Sequence, residues 1–121
     1  MATNTAVPLA EVTTLRSAEI ERMPWQAVAG CPGVYVKVLA RDTSIVCALI
    51  MYEPGASTPG RPHPVDQYLW VTSGQAHVAG QWLDAGSAAH VPAGTTHPIT
   101  AGSHNGCVLL QVQLHPGNRD G

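Results

Sequence analysis

At 121 residues the chain has room for one domain and one core, and not for separate substrate and cofactor domains. Apolar residues make up 45%, which excludes a disordered chain, while Asp, Glu, Lys and Arg reach only 12% against about a quarter in ordinary domains, pointing to a buried subunit contact. The net charge is −2 with no Lys/Arg run, so the electrostatic footprint of a nucleic-acid or anionic-membrane binder is missing.

Residues 1–15 lack the basic and apolar regions of a signal peptide, and no apolar stretch approaches the ~20 residues of a membrane span. A cytoplasmic location is expected. Three cysteines, Cys31, Cys47 and Cys107, cannot all pair and show no C-x-x-C spacing, so free, buried thiols are expected. The 12 glycines and 10 prolines are spread so evenly that helices of ten or more residues have little room. Short strands joined by turns should dominate.

Residues 1–24 are small and polar and read as an arm, with one helix-like window, Thr14 to Arg22, that Pro24 ends. Residues 25–116 read as the domain, and 117–121 as a tail. The Gly30-Cys31-Pro32-Gly33 turn leads into Val34 to Leu39, a strand with Val34, Val36 and Val38 on its buried face. Ser44 to Tyr52 is apolar on both faces and predicts a strand covered twice, by a second sheet or by another subunit. Gln67–Thr72 and Gln75–Ala79 flank Ser73-Gly74, the signal of a two-residue hairpin. Trp82, Ser87–Val91 and Thr96–Thr100 are further short strand candidates. Cys107 to Leu114 alternates, with Val108, Leu110, Val112 and Leu114 on one face and Gln111 and Gln113 on the other. Seven or eight short strands at near-regular spacing predict an all-β sandwich or barrel.

Two spaced motifs lie within this pattern. Gly55 is followed by five residues, Arg61-Pro62-His63, three residues, Gln67, six residues and Gly74; later come Gly86, Pro92, Gly94 and His97, with Ala101 four beyond. This arrangement resembles the two motifs of the cupins, whose first motif carries His-x-His and then Glu, and whose second carries Pro-x-Gly, His and then Asn. The spacing is kept, but Arg61 stands at the first His, Gln67 at the Glu and Ala101 at the Asn. The resemblance implies a double-stranded β-helix (jelly-roll) barrel with its site in the mouth. It also implies a divalent metal (Mn, Fe, Ni, Co or Zn) on His63, Gln67 and His97. Similar small cupins, including manganese-dependent hydroxynitrile lyases, carry Gln at the Glu position but keep the first His.

Physical chemistry sets conditions on that site. On a straight strand His63 and Gln67 would be about 13 Å apart, so they converge only if Pro64-Val65-Asp66 turns the chain. His63 and His97 each precede a proline, which biases both towards extended backbone. Arg61 brings a permanent charge whose repulsion with a divalent ion, at an assumed ~5 Å and effective dielectric ~20, is about 6–7 kcal/mol. A metal then requires that the guanidinium swing away, pair with Asp66 or Glu53, or be neutralised by an anionic substrate. If Arg61 faces the pocket, its planar fork suits a carboxylate or an enolate oxygen; otherwise it reaches solvent. His90 reads as a strand histidine, His104 as a turn residue, and His77 and His115 have no motif support.

Three functions follow. In the first, the chain is an enzyme acting on a small anionic or enolisable carbonyl compound, with the metal as Lewis acid and template for lyase, isomerase, cyclase or dioxygenase chemistry. In the second the metal is gone, and His63 or His97 does acid–base work beside Arg61. In the third the chain is no enzyme but a ligand-binding or sensory cupin, whose barrel mouth captures a small molecule or metal and reports it to a partner. A homodimer through strand 44–52 is expected as well. No G-x-S-x-G elbow or phosphate-cradling glycine loop is present.

Overall fold

The computed structural model describes residues 12–114; the start of the expected arm, the expected tail and His115 lie outside the described residues. Among the described residues one short helix, α1 (Ser17–Arg22), precedes nine strands. These are β1 (Gln26–Ala27), β2 (Val34–Arg41), β3 (Ile45–Tyr52), β4 (Ser57–Thr58), β5 (Asp66–Val78), β6 (Gln81–Asp84), β7 (Ala88–Val91), β8 (Ile99–Ala101) and β9 (Cys107–Leu114). All pairings are antiparallel, in the order β1-β2-β3-β9-β5-β8-β4, with β6 and β7 also paired to β5. This is the all-β barrel that the spacing of turns predicts. No helix among the described residues is long and apolar enough to cross a membrane.

The expected hairpin at Ser73-Gly74 is not there. Strand β5 runs straight through it: residues before Gly74 pair with β9 and β7, and residues from Gln75 onward pair with β6 and β8. The Ser73-Gly74 step is the corner at which one strand passes between the two layers, accompanied by a register shift opposite Val108 and Leu109. Gly74 has φ +75°, and a Cβ there would run into the carbonyl oxygen of Gly106. A glycine required by close approach carries the same local signature as a turn glycine. The true reversal is Ala79-Gly80, both at positive φ, joining β5 to β6.

The core lies between the layers. Val34, Tyr52, Leu69, Val71, Ala76, Val78, Ala101, Cys107 and Leu109 are buried in one cluster. Cross-strand partners show which face is inside: Tyr52 opposes Val34 and Cys107, and Leu109 opposes Ile50 and Val71. On β9 the inward series is therefore Cys107, Leu109, Gln111 and Gln113. The apolar series Val108, Leu110, Val112 and Leu114 faces outward, in rungs with Met51, Leu49, Cys47 and Ile45 of β3. Trp70 and Tyr68 of β5 extend this outer face and remain 49% and 43% exposed.

The β2 side of the outer face is covered by the N-terminal segment. Lys37 is only 6% exposed, donating from Nζ to the Ile20 carbonyl at 2.8 Å and lying 4.4 Å from the centre of the Trp25 ring. A buried ammonium needs such partners, and these two tie α1 to the sheet.

Candidate functional site

The two motifs meet because the loops that carry them are tied at three points. The chain bends at Pro64-Val65 before entering β5, as the convergence of His63 and Gln67 requires. The Gly94 N–H donates to the His63 carbonyl at 2.8 Å, and the Ala93 N–H donates to Asp66 Oδ1 at 2.8 Å. Gly60 lies directly on the backbone of His97, where an added Cβ would stand 2.7 Å from the His97 carbonyl carbon. Each contact joins the 59–66 segment to the 93–97 segment.

Neither histidine projects from a strand. His63 and His97 sit in connectors just before β5 and β8, which corrects the expected strand over Thr96–Thr100. The physical reason is the proline after each: Pro64 and Pro98 have no N–H to give to a ladder. Both histidines still face the same space.

That space is a cavity of about 240 Å³, lined by Arg61, His63, Gln67 and His97, by Gln111 and Gln113, and by Tyr52, Thr58 and Ile99. Gln67 is 5% exposed, and its side chain has no hydrogen-bond partner among the described residues. His97 Nε2 is buried without a partner. Burial holds His97 below its ordinary pKa and the neighbouring His63 adds to the effect, so the imidazole is neutral at pH 7. Arg61 is exposed at the mouth and has no side-chain partner among the described residues. Neither Asp66 nor Glu53 pairs with it: Asp66 holds Ala93 and lies 3.8 Å from His90, and Glu53 accepts from the Tyr35 hydroxyl at 3.3 Å. Tyr52 shares a hydrogen bond of 3.0 Å with Thr58, and burial pushes its phenol up to about 12, so it stays protonated.

The remaining candidates stand apart from this set. His90 stacks on Tyr68 with ring centres 4.6 Å apart, beside Asp66. His77 packs edge-on against Trp82, and His104 is exposed in the turn before β9. Cys31, Cys47 and Cys107 are free thiols; Cys31 and Cys107 are buried, and Cys47 is half-buried on the outer face. The residues that the motifs did not mark are Gln111 and Gln113. Their signal was present as two glutamines alternating with apolar residues, but the buried face of β9 is the one that carries them.

Among the described residues no three His, Cys, Asp or Glu side chains gather where they could hold a metal ion. The donor set at the cavity is instead two imidazoles and a carboxamide. The orphaned Nε2 of a neutral His97 and the unpartnered Gln67 amide have the donor chemistry that a divalent ion takes.

A family model described as the ChrR cupin-like domain matches residues 14–116. No curated protein matches the sequence. Solved structures share the fold at low identity. The Halomonas sp. KdgF structure is 23% identical with a TM-score of 0.69, the alignment covering 82% of this chain and 93% of that one. The polyketide cyclase RemF from Streptomyces resistomycificus is 18% identical with a TM-score of 0.72, covering 84% and 80%. The anti-sigma ChrR of Rhodobacter sphaeroides, solved in complex with SigE, is 19% identical with a TM-score of 0.69, covering 78% of this chain and 50% of that chain.

Proposed function

From the premise that this chain belongs to the ChrR cupin-like family, we propose that it is a small cupin enzyme acting on an anionic or enolisable carbonyl compound. The observation that carries this reading is the gathering of Arg61, His63, Gln67 and His97 around one cavity. The cupin neighbours include a polyketide cyclase, so the fold accommodates chemistry on carbonyl compounds. His63, Gln67 and His97 would hold a divalent metal, which supplies Lewis-acid polarisation of a bound oxygen. Arg61 stands at the entrance and binds the substrate's carboxylate or enolate oxygen through its planar fork. The apolar part of the lining, which includes Val34, Ile50 and Ile99, limits water around the bound compound.

Arg61 favours a second reading. It occupies the position of a histidine ligand and brings positive charge to the same cavity, so His63 and His97 can serve without an ion. In that case neutral His97 takes a proton from carbon next to the carbonyl, and Arg61 holds the oxyanion that forms. The protein is also proposed to be cytoplasmic and to self-associate through the outer face of β3, β9 and β5.

Metal analysis of protein purified without chelator separates the two readings. Turnover of small keto and hydroxy acids, abolished in His97→Ala, is the result expected under both. Saturable binding with no turnover of any of them would overturn the enzyme and leave a binding cupin.

A further inference from the structure

Strand β9 is apolar except for Gln111 and Gln113, and both point inward. The register sets Gln113 directly opposite Gln67 of β5, and Gln111 opposite Leu69, two residues along each strand. Three carboxamides thus stand together on one wall of the cavity at whose mouth Arg61 stands. None has a side-chain hydrogen bond to another described residue, and Gln67 is 95% enclosed.

Each carboxamide offers two N–H donors and a carbonyl that accepts. The wall carries no charge, so it neither attracts a second anionic group nor needs one. A hydroxyl is its natural complement, since it donates and accepts at once. Gln67 is buried and Gln111 and Gln113 are half-buried, so an occupant that covers this wall without pairing the amides costs them their water, whereas an apolar wall could not reject a ligand for an added hydroxyl. The cavity, at about 240 Å³, falls below the ~300 Å³ where pockets for drug-sized ligands begin. Its occupant is small.

We propose that the cavity selects a small polyhydroxylated carboxylate, with the carboxylate at Arg61 and two or more hydroxyl or keto oxygens against Gln111, Gln113 and the NH2 end of the Gln67 amide, whose carbonyl end is the one a metal would take. The proposal rests on the reading of this cavity as the substrate site and adds the half of the substrate that Arg61 does not touch. An acid with an unsubstituted hydrocarbon chain is excluded by it.

Three six-carbon probes test it by calorimetric titration of the full chain: gluconate, hexanoate and sorbitol. Gluconate is expected to bind at least about tenfold tighter than either of the others. Gln113→Leu should reduce the preference for gluconate over hexanoate by about tenfold. Gln113→Glu keeps the shape and a polar group but places an anion in the wall, and should weaken both acids. Arg61→Ala should weaken both acids while leaving sorbitol unchanged. Hexanoate binding as tightly as gluconate overturns the role of the glutamine wall and leaves the anion site standing. Sorbitol binding as tightly as gluconate overturns the carboxylate requirement and leaves the wall standing. Saturable binding of none of them at millimolar concentration overturns both.

Discussion

The His63 carbonyl accepts the Gly94 N–H at 2.8 Å, and this backbone bond joins the two motifs across 31 positions of chain. It fixes where each loop runs without using the side chain of either residue, so the imidazole of His63 is left free to face the cavity. Asp66 reinforces the tie from the next element by accepting the Ala93 N–H.

Asp66→Ala removes that second tie. The bond is charge-assisted but partly open to solvent, so the expected loss of stability is about 1 kcal/mol, below the ~1.5–3 kcal/mol of hydrogen bonds to charged groups. Denaturant unfolding reads this as a lower midpoint with unchanged slope. Ligand affinity should fall as well, because the 92–95 loop then holds His97 less firmly. An unchanged midpoint would show that the Gly94 bond and the Gly60–His97 contact hold the loop without Asp66.

Gly60→Ala tests the contact between the loops more severely. The new Cβ has only backbone in front of it, with the His97 nitrogen at 2.9 Å and its carbonyl carbon at 2.7 Å. Backbone cannot rotate away as a side-chain tip does, so one loop must shift, at about 1–3 kcal/mol for overpacking of this kind. Binding of any cavity ligand is expected to weaken by more than the stability loss alone explains.

The fold was legible because strand faces and turn residues are local signals. Val34, Val36 and Val38 alternate, Pro54-Gly55 stops β3, and the two motifs keep their spacing. The errors came from features set by tertiary contact. Ser73-Gly74 looks like a hairpin because the glycine demanded by Gly106 is indistinguishable in sequence from one demanded by a turn. The site was legible as residues but not as a wall: Gln111 and Gln113 alternate with valine and leucine, and only pairing with Gln67 and Ala48 shows which set faces inward. The burial of Lys37 was not legible because it depends on Trp25 and on a helix distant from it in sequence.

The depressed pKa of His97 predicts the pH dependence of stability. The folded state keeps this imidazole neutral while the unfolded chain protonates near 6.5, so below that pH the unfolded state binds more protons. Stability is therefore full above about 6.5 and falls as pH drops towards the lower folded pKa. In metal-free protein, His97→Gln should flatten this part of the profile when melting temperature is followed between about pH 7 and pH 5. A profile unchanged by the substitution would assign the slope to another group.

Lys37 is expected to anchor the N-terminal segment. Lys37→Met keeps the apolar stem against Trp25 but removes the donor to the Ile20 carbonyl and the cation over the ring. Backbone amides of α1 should then exchange faster with solvent, while those of β5 and β9 keep their protection. Equal protection of α1 in both proteins would mean that packing, not the ammonium, holds it.

The outer face offers the final test, with Cys47 as its reporter. Cys47 opposes Val112, which in turn opposes Tyr68, while Leu49, Leu110 and Trp70 form the adjacent rung. Within one chain this face leaves Trp70 and Tyr68 nearly half exposed, a contiguous apolar patch of the sort that soluble monomers seldom display. Sedimentation is expected to show a dimer, and Trp70→Glu or Leu110→Asp to show a monomer. Thiol labelling at pH 8 then sorts the cysteines. Cys107, which burial pushes up to about 11, and buried Cys31 stay unlabelled in either form. Cys47 should label slowly in the dimer and faster in the Trp70→Glu monomer. A monodisperse monomer for the unsubstituted chain, or equal labelling of Cys47 in both, would remove this face from the interface and leave the low surface charge to be explained by another contact.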